Sequence, residues 1–172
     1  MAVLPILVLG DKRLREKADL VDGVGEAERQ LIDDMVETMH DAPGVGLAAT
    51  QVGVTKRIIV VDTTAGEEEG RVLVFVNPEI SCPVGEQLDQ EGCLSVPEEF
   101  AEIKRPLTLK VKALDREGNP LEMETEGLLA RVICHEVDHL DGILFVDHLS
   151  SLKRSLIVRR VRKWQAKEEE SA

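Results

Sequence analysis

The apolar positions of the chain first recur every three or four residues, in the segment from Glu26 to Asp41. That spacing puts them on one face of an α-helix, as a stripe of Leu31, Ile32, Met35, Val36 and Met39. Pro43 and Gly44 follow closely, and they predict that the helix ends before them.

The middle of the chain changes to β-type patterns. Two β-branched runs, at 57–62 and 71–77, lie on either side of an acidic turn, which predicts strand, loop and strand. Residues 107–113 alternate with a period of two. Residues 121–125 are predicted to pair with them as a hairpin across a turn at 115–120.

Helical spacing returns near the end of the chain. Thr125 is predicted to cap a helix of about four turns, and a last helix is predicted over about 151–167. Because no βαβ unit repeats along the chain, the expected class is α+β with antiparallel or mixed sheets. A length of 172 residues predicts a single domain, 1–172.

Composition narrows the class of protein. Hydrophobic residues make up 43% of the chain, enough for a buried core, whereas aromatic residues make up only 2%. The scarcity of aromatics and the net charge of −12 argue against a nucleic-acid-binding domain, DNA included. No stretch approaches the roughly 20 apolar residues that cross a bilayer, and the apolar run at 2–9 lacks the basic start of a signal peptide. We therefore expect a soluble, cytoplasmic protein.

The sequence His135-Glu136-Val137-Asp138-His139 is an H-E-x-x-H motif on a predicted helix. Residues four apart lie one turn apart, so both imidazoles project from one face and can bind one metal ion. Glu136 lies about 100° further round the axis, where its carboxylate could take a proton from a water on that metal. A charged helix face with a chance histidine spacing is the structural alternative.

A catalytic zinc-type site usually needs a third protein ligand. The metzincin pattern H-E-x-x-H-x-x-G-x-x-H is met at Gly142 but ends on Phe145, which cannot coordinate a metal. His148 comes three residues too late. The third ligand is therefore expected upstream of the motif.

The three cysteines, Cys82, Cys93 and Cys134, are an odd number and cannot all form internal disulfides. Cys93 lies in a short turn-like segment between Gly92 and Pro97, from which a thiolate could complete a Cys-His-His set. Cys134 directly precedes His135 and so points away from the histidine face. We expect Cys82 and Cys134 to be buried packing thiols.

The stretch 44–51 (GVGLAATQ) is small and glycine-rich but lacks the Lys-Ser/Thr of a phosphate-binding loop. Small side chains would let a substrate backbone approach closely. The Gln51 amide could donate a hydrogen bond to a developing oxyanion. A close-packed turn is the alternative interpretation of this stretch.

Taken together and in this order, GVGLAATQ, EGCLSVP and HEVDH resemble the peptide deformylase family, whose members remove the N-formyl group from nascent bacterial polypeptides. The resemblance extends to Pro5-Ile6, Gly10-Asp11, Asn77-Pro78 and the run 140–145, and it covers the chain to about Leu152. It implies an α+β fold of mixed or antiparallel sheets around the central helix that carries the motif.

The resemblance also implies roles for particular residues. Cys93, His135 and His139 would hold one divalent metal ion, expected to be Fe²⁺ natively, with Zn²⁺, Ni²⁺ or Co²⁺ as substitutes. Glu136 would be the general base and acid. The Gln51 side chain and the Leu94 backbone N–H would stabilise the oxyanion.

The implied substrate is an N-formyl-methionyl peptide, extended along Val45 and Gly46. Its methionine would enter an apolar pocket with walls from Val45, Leu94 and Val132. Glu91 and Arg105 match recurrent family positions and could pair near the site, although a solvated arginine is the alternative. Two positions depart from the family pattern, with Cys134 where Gln is common and Glu98 where Gly is common.

The last predicted helix is basic in an otherwise acidic chain. Between Lys153 and Lys163 it has no acidic residue and six basic ones: Lys153, Arg154, Arg159, Arg160, Arg162 and Lys163. A solvated helix face explains such a run, and the sharper hypothesis is a helix that docks on ribosomal RNA. Two other functions stay open at this point: a metallo-endopeptidase with a different third ligand, and an inactive metal-binding or ribosome-binding module.

Overall fold

The structure is a computed structural model that describes residues 2–171. Its helices are α1 (Glu26–Asp41), α2 (Gly127–Leu140) and α3 (Ser151–Ser171). Its strands are β1 (Gly46–Ala48), β2 (Ile58–Val61), β3 (Leu73–Val84), β4 (Gln87–Cys93), β5 (Val96–Arg105), β6 (Thr108–Leu114) and β7 (Pro120–Glu126). The predicted α+β class is confirmed.

Five strands form one antiparallel sheet in the order β1-β2-β3-β6-β7. The β2–β3 pair and the β6–β7 hairpin are the ones that the sequence predicts. Strands β4 and β5 form a separate antiparallel hairpin. Strand β1 pairs with β2 only, so it is an edge strand of the larger sheet.

Strand β2 explains how the two long core helices are arranged. All four of its residues are fully buried. Ile58 and Val60 pack with α1, whereas Ile59 and Val61 pack in the core cluster that contains the apolar face of α2. Since successive strand residues point to opposite faces, the two helices cover opposite faces of the sheet.

The structure corrects three local predictions. Strand β3 does not end at Asn77 but continues to Val84. Asn77 adopts a left-handed backbone with φ of 54°, and the register of the pairing with β6 shifts at this point. Thr125 is not the cap of α2: it lies buried in β7, and Glu126 precedes the helix. Cys82 is exposed rather than buried.

The N-terminal segment and α3 support the region around Cys93. The Leu7 N–H donates to the Gln51 carbonyl and the Leu9 N–H to the Ser95 carbonyl, each over 2.8 Å. Helix α3 contributes Ile157 and Val161 to a cluster with β5 and the short helix at 145–148. In the range 2–171, no helix is both long and apolar enough to cross a membrane.

Candidate active site

Helix α2 presents both histidines of the motif to the interior. His135 and His139 lie one turn apart and are buried, with ring centroids 4.8 Å apart. Their Nε2 atoms approach to 3.1 Å. The Thr50 hydroxyl donates to the His139 carbonyl over 3.1 Å, which fixes this turn of the helix against the segment after β1.

Cys93 ends β4, and the two-residue turn Leu94-Ser95 leads into β5. Its Sγ lies 3.2 Å from His139 Nε2, and the ligand atoms of Cys93, His135 and His139 all lie within 4.8 Å of one another. Over residues 2–171, this is the one such group of three potential ligands. A thiolate and two imidazoles suit a borderline divalent metal, so the donor set fits the expected ion.

Glu91 orients the first histidine. Its Oε2 lies 2.6 Å from His135 Nδ1, so that Nδ1 carries the proton and Nε2 is left for the metal. Burial alone would raise the pKa of Glu91, but hydrogen bonds from His135 and Arg105 outweigh it and hold this pKa well below its usual value. Glu91 is therefore ionised over the physiological range.

Arg105 is buried beside Glu91 rather than solvated. Its Nε and Nη2 donate to the two Glu91 oxygens over 3.1 and 2.7 Å, and its Nη1 donates to Asp138 over 2.8 Å. The predicted pairing of Glu91 and Arg105 is confirmed. Arg105 does not line the cleft described below, so the geometry gives it no direct substrate contact.

Glu136 is buried next to the histidines. Burial raises its pKa to about 7. Its Oε1 has no hydrogen-bond partner among the described residues, although it is inaccessible to solvent. A carboxylate oxygen left without a partner in a buried position is unusual and indicates a functional role.

Gln51 is fixed by its hydrogen bonds. Its Oε1 accepts from the Ala48 N–H over 2.9 Å, which places Nε2 on the side of Cys93. From there Nε2 donates to Ser95 Oγ over 3.1 Å and lies 3.6 Å from Cys93 Sγ. The amide donor is thus held beside the metal ligands.

These groups open onto a cleft of about 460 Å³. All four residues predicted to contact the substrate backbone or the methionine line it, namely Val45, Gly46, Leu94 and Val132. Sequence reasoning missed several lining residues, among them Leu128, Phe100 and Arg131. Arg131 lies four residues before His135, and that spacing is the signal that could have identified it.

The two departures from the family pattern lie in different environments. Cys134 is buried in the core, its pKa is raised to about 11 by burial, and it is not part of the ligand group. Its prediction as a packing thiol is confirmed. Glu98 lines the cleft with a left-handed backbone, φ 63°. Glycine adopts this conformation without strain.

A Cys-His-His ligand group beside a buried glutamate on an H-E-x-x-H helix defines a metal-dependent hydrolase site. Comparison with known proteins specifies the family. The sequence pattern described as Polypeptide deformylase matches residues 3–155. The chain belongs to this family and is an enzyme of the peptide deformylase type.

Individual relatives are similar over nearly the whole length. The peptide deformylase of Pseudomonas aeruginosa is 55% identical over 165 residues, covering 95% of this chain and 96% of its own. A crystal structure of a Legionella pneumophila peptide deformylase is 46% identical, with a TM-score of 0.92 and 98% of both chains covered. An Ehrlichia chaffeensis peptide deformylase in complex with actinonin is 41% identical, with a TM-score of 0.89, over 95% of this chain and 98% of that one.

Proposed function

We propose that the protein removes the formyl group from N-formyl-methionyl peptides and releases formate. One observation carries the proposal: Cys93, His135 and His139 form one ligand group beside a cleft that Cys93, His135 and Glu136 line, and Glu136 has a buried carboxylate oxygen without a partner. The family membership then selects deformylation among the hydrolyses that such a site can perform.

The three ligands would hold the metal through Cys93 Sγ and the two histidine Nε2 atoms. A divalent ion bound there would acidify a water molecule and polarise the formyl carbonyl. Glu136 takes a proton from the attacking water at a carboxylate oxygen and returns it to the departing amine nitrogen. Water and a formamide thereby become formate and a free α-amino group, so the protons balance.

Gln51 and Leu94 are proposed to stabilise the oxyanion. Gln51 Nε2 reaches the site only with its present orientation, which the bond from the Ala48 N–H maintains. One of its two hydrogens already serves Ser95 Oγ at 3.1 Å, whereas the other faces Cys93 Sγ over a longer 3.6 Å. The weaker contact is the one that an oxyanion would replace.

The substrate backbone is proposed to extend along the free edge of β1. Val45 and Gly46 line the cleft at this edge, and an extended peptide can add to an edge strand through main-chain hydrogen bonds. Val45, Leu94 and Val132 would surround the methionine side chain. Glu91 supports the site through His135, and Arg105 supports Glu91.

The resident metal is proposed to be Fe²⁺. The donor set suits Fe²⁺, Zn²⁺, Ni²⁺ and Co²⁺, so ligand type does not choose among them. Metal analysis of protein purified without oxygen should find one iron per chain. One zinc per chain in the same preparation would refute the assignment.

Nascent chains in the cytoplasm are the proposed setting, with α3 as a ribosome-docking element. Of the six basic residues from Lys153 to Lys163, Arg160 pairs with Glu99 at 2.7 Å and Arg154 with Asp147 at 3.7 Å. In the described residues, the other four have no ion pair: Lys153, Arg159, Arg162 and Lys163. Changing these four to Gln should abolish co-sedimentation with ribosomes, because phosphate contacts depend on charge. Unchanged co-sedimentation would contradict docking. Deleting α3 is a poorer test, since Ile157 and Val161 are part of the core.

Formate release from formyl-Met-Ala-Ser by the metal-loaded protein tests the proposed activity. Cys93→Ser should lose this activity together with the metal. In a metallo-endopeptidase with another third ligand, the same change would be largely silent, and mass spectrometry would find internal peptide cleavage instead of formate.

A further inference from the structure

We propose that Arg131 is a positioning residue of the metal site. Through Glu91, it aligns the strand that carries Cys93 with the helix that carries His135 and His139. The inference deepens the proposed function, because it rests on the use of this ligand group by the reaction.

The Arg131 side chain is almost completely buried, with 5% exposed. Its Nη1 donates to Glu91 Oε1 over 3.0 Å, and its Nη2 lies 3.4 Å from the Gln87 carbonyl. Both partners belong to β4. Glu91 Oε2 lies 2.6 Å from His135 Nδ1. Each oxygen of Glu91 is therefore bound to a different turn of α2.

This arrangement constrains more than a single hydrogen bond could. Arg131 and His135 are four residues apart and share one face of α2. A carboxylate bound at two successive turns can neither rotate nor slide along the helix. Glu91 is two residues before Cys93 on β4, so fixing Glu91 also fixes the approach of the thiolate to the histidines.

Arg105 does not duplicate this role. It belongs to β5, the hairpin partner of β4, and it reaches α2 only through Asp138. It contacts both Glu91 oxygens and therefore keeps Glu91 ion-paired when Arg131 is absent. A substitution at Arg131 therefore tests the orientation of Glu91. It does not leave the Glu91 carboxylate buried without a counter-charge, which would be strongly destabilising.

Arg131 also lines the cleft, so a direct contact with the peptide is the competing explanation. The two roles differ in what they change. A positioning role affects metal affinity and kcat and spares KM. A substrate contact affects KM and leaves metal affinity as it is.

The test compares Arg131→Met, Arg131→Lys and wild type. Zn²⁺ affinity is measured by competition with a chromophoric chelator, the Co²⁺-substituted protein is examined by absorption spectroscopy, and kcat and KM are measured on formyl-Met-Ala-Ser. We expect Arg131→Met to bind Zn²⁺ about 10- to 100-fold more weakly, as for other residues that orient metal ligands. Its Co²⁺ spectrum should change, its kcat should fall and its KM should stay within about twofold. Lysine keeps one charged donor, so Arg131→Lys should recover part of the affinity.

Arg57→Met is the matched control. Arg57 is also mostly buried and holds the far end of α2, donating to the Leu140 carbonyl over 3.2 Å and to Asp141 over 2.9 Å. It touches neither Glu91 nor a ligand. This variant should melt at a lower temperature with the Zn²⁺ affinity of its folded form unchanged.

Wild-type Zn²⁺ affinity in Arg131→Met would overturn the proposal, as would a raised KM at unchanged kcat and affinity. If Arg131→Met does not fold, the Zn²⁺ affinity of Arg131→Lys becomes the test. A Zn²⁺ affinity equal to that of wild type would refute positioning by the two-donor guanidinium group, and a reduced Zn²⁺ affinity would support it. Metal affinity requires no turnover. A wild-type protein that binds Zn²⁺ but releases no formate would therefore refute the proposed activity separately.

Discussion

Replacing Gly46 with alanine should abolish most of the activity, because the glycine lies directly against the carboxylate of Glu136, the proposed general base. A Cβ added at this position would lie 2.5 Å from Glu136 Oε2 and 2.7 Å from Val132 Cγ1. Ordinary contact begins at about 3.4 Å, so the carboxylate would have to move by about 0.9 Å. The carboxylate ends a flexible side chain and is the group that would shift, whereas Val132 Cγ1 lies close to the backbone of the buried part of α2.

A misplacement of about 1 Å in a reacting group costs on the order of 100-fold in rate. We therefore expect kcat/KM of Gly46→Ala for formyl-Met-Ala-Ser to fall about 100-fold. Overpacking should also lower the free energy of unfolding by about 1–3 kcal/mol, measured by urea denaturation. Metal content should stay at one ion per chain, because the added methyl group does not meet a ligand.

Two further variants separate the causes. Gly44→Ala adds a Cβ 2.8 Å from a methyl group of Leu94, a side chain that can rotate away, so its loss of kcat/KM should stay below about tenfold. Adding Val132→Ala to Gly46→Ala removes one of the two clashes. It should recover stability but not activity. Activity of Gly46→Ala within threefold of wild type would refute the placement of Glu136 against Gly46.

The remaining predictions concern Glu98, Glu91 and the metal. Glu98→Gly should raise the free energy of unfolding by about 0.5–1 kcal/mol. The left-handed backbone costs a non-glycine residue about 1–2 kcal/mol, and the larger conformational entropy of glycine in the unfolded state offsets part of this gain. Glu98→Gln has the same backbone cost, so it should leave the free energy of unfolding unchanged. Glu91→Gln should lower the melting temperature of the metal-free protein at pH 7. Because the folded-state pKa of Glu91 lies below the ordinary value of 4.5, its stabilisation is present above that value and declines as the pH falls below it. The difference between wild type and variant should therefore shrink in acid, and a constant difference would contradict the ionised pairing. Removing the metal with a chelator should stop formate release and lower the melting temperature, and adding Ni²⁺ should restore both.

The helices and the central sheet could be predicted because their side chains obey simple periodicities. The stripe on α1 and the β-branched run of β2 are buried as their patterns predict. The β4–β5 hairpin could not be predicted in this way. Its inward positions include Glu91 and Arg105, which neutralise each other inside the protein. A hydropathy pattern assigns such charged residues to the solvent face. The two strands of the hairpin therefore lack the alternation of apolar and polar residues that would have predicted them.

The candidate site was predictable to a similar extent. The spacing of His135 and His139 is local, so the motif alone reveals a two-ligand site. Cys93 approaches from another element. Its turn-like segment made it the favoured third ligand, and the resemblance to a family then assigned it that role. Arg131 was missed because a charge in an apolar helix is normally interpreted as facing solvent, whereas here its partner Glu91 lies 40 residues earlier.

The most direct test of the whole account is formate release by Glu136→Gln at matched metal occupancy. Wild-type and variant protein are loaded with Ni²⁺, the metal per chain is measured, and both are assayed with formyl-Met-Ala-Ser. We predict formate from the wild type and a loss of about 10²- to 10⁴-fold in the variant, the usual contribution of a general acid and base, with one metal ion retained in each. A metal-loaded wild type without formate release, or a variant as active as wild type, would contradict the account.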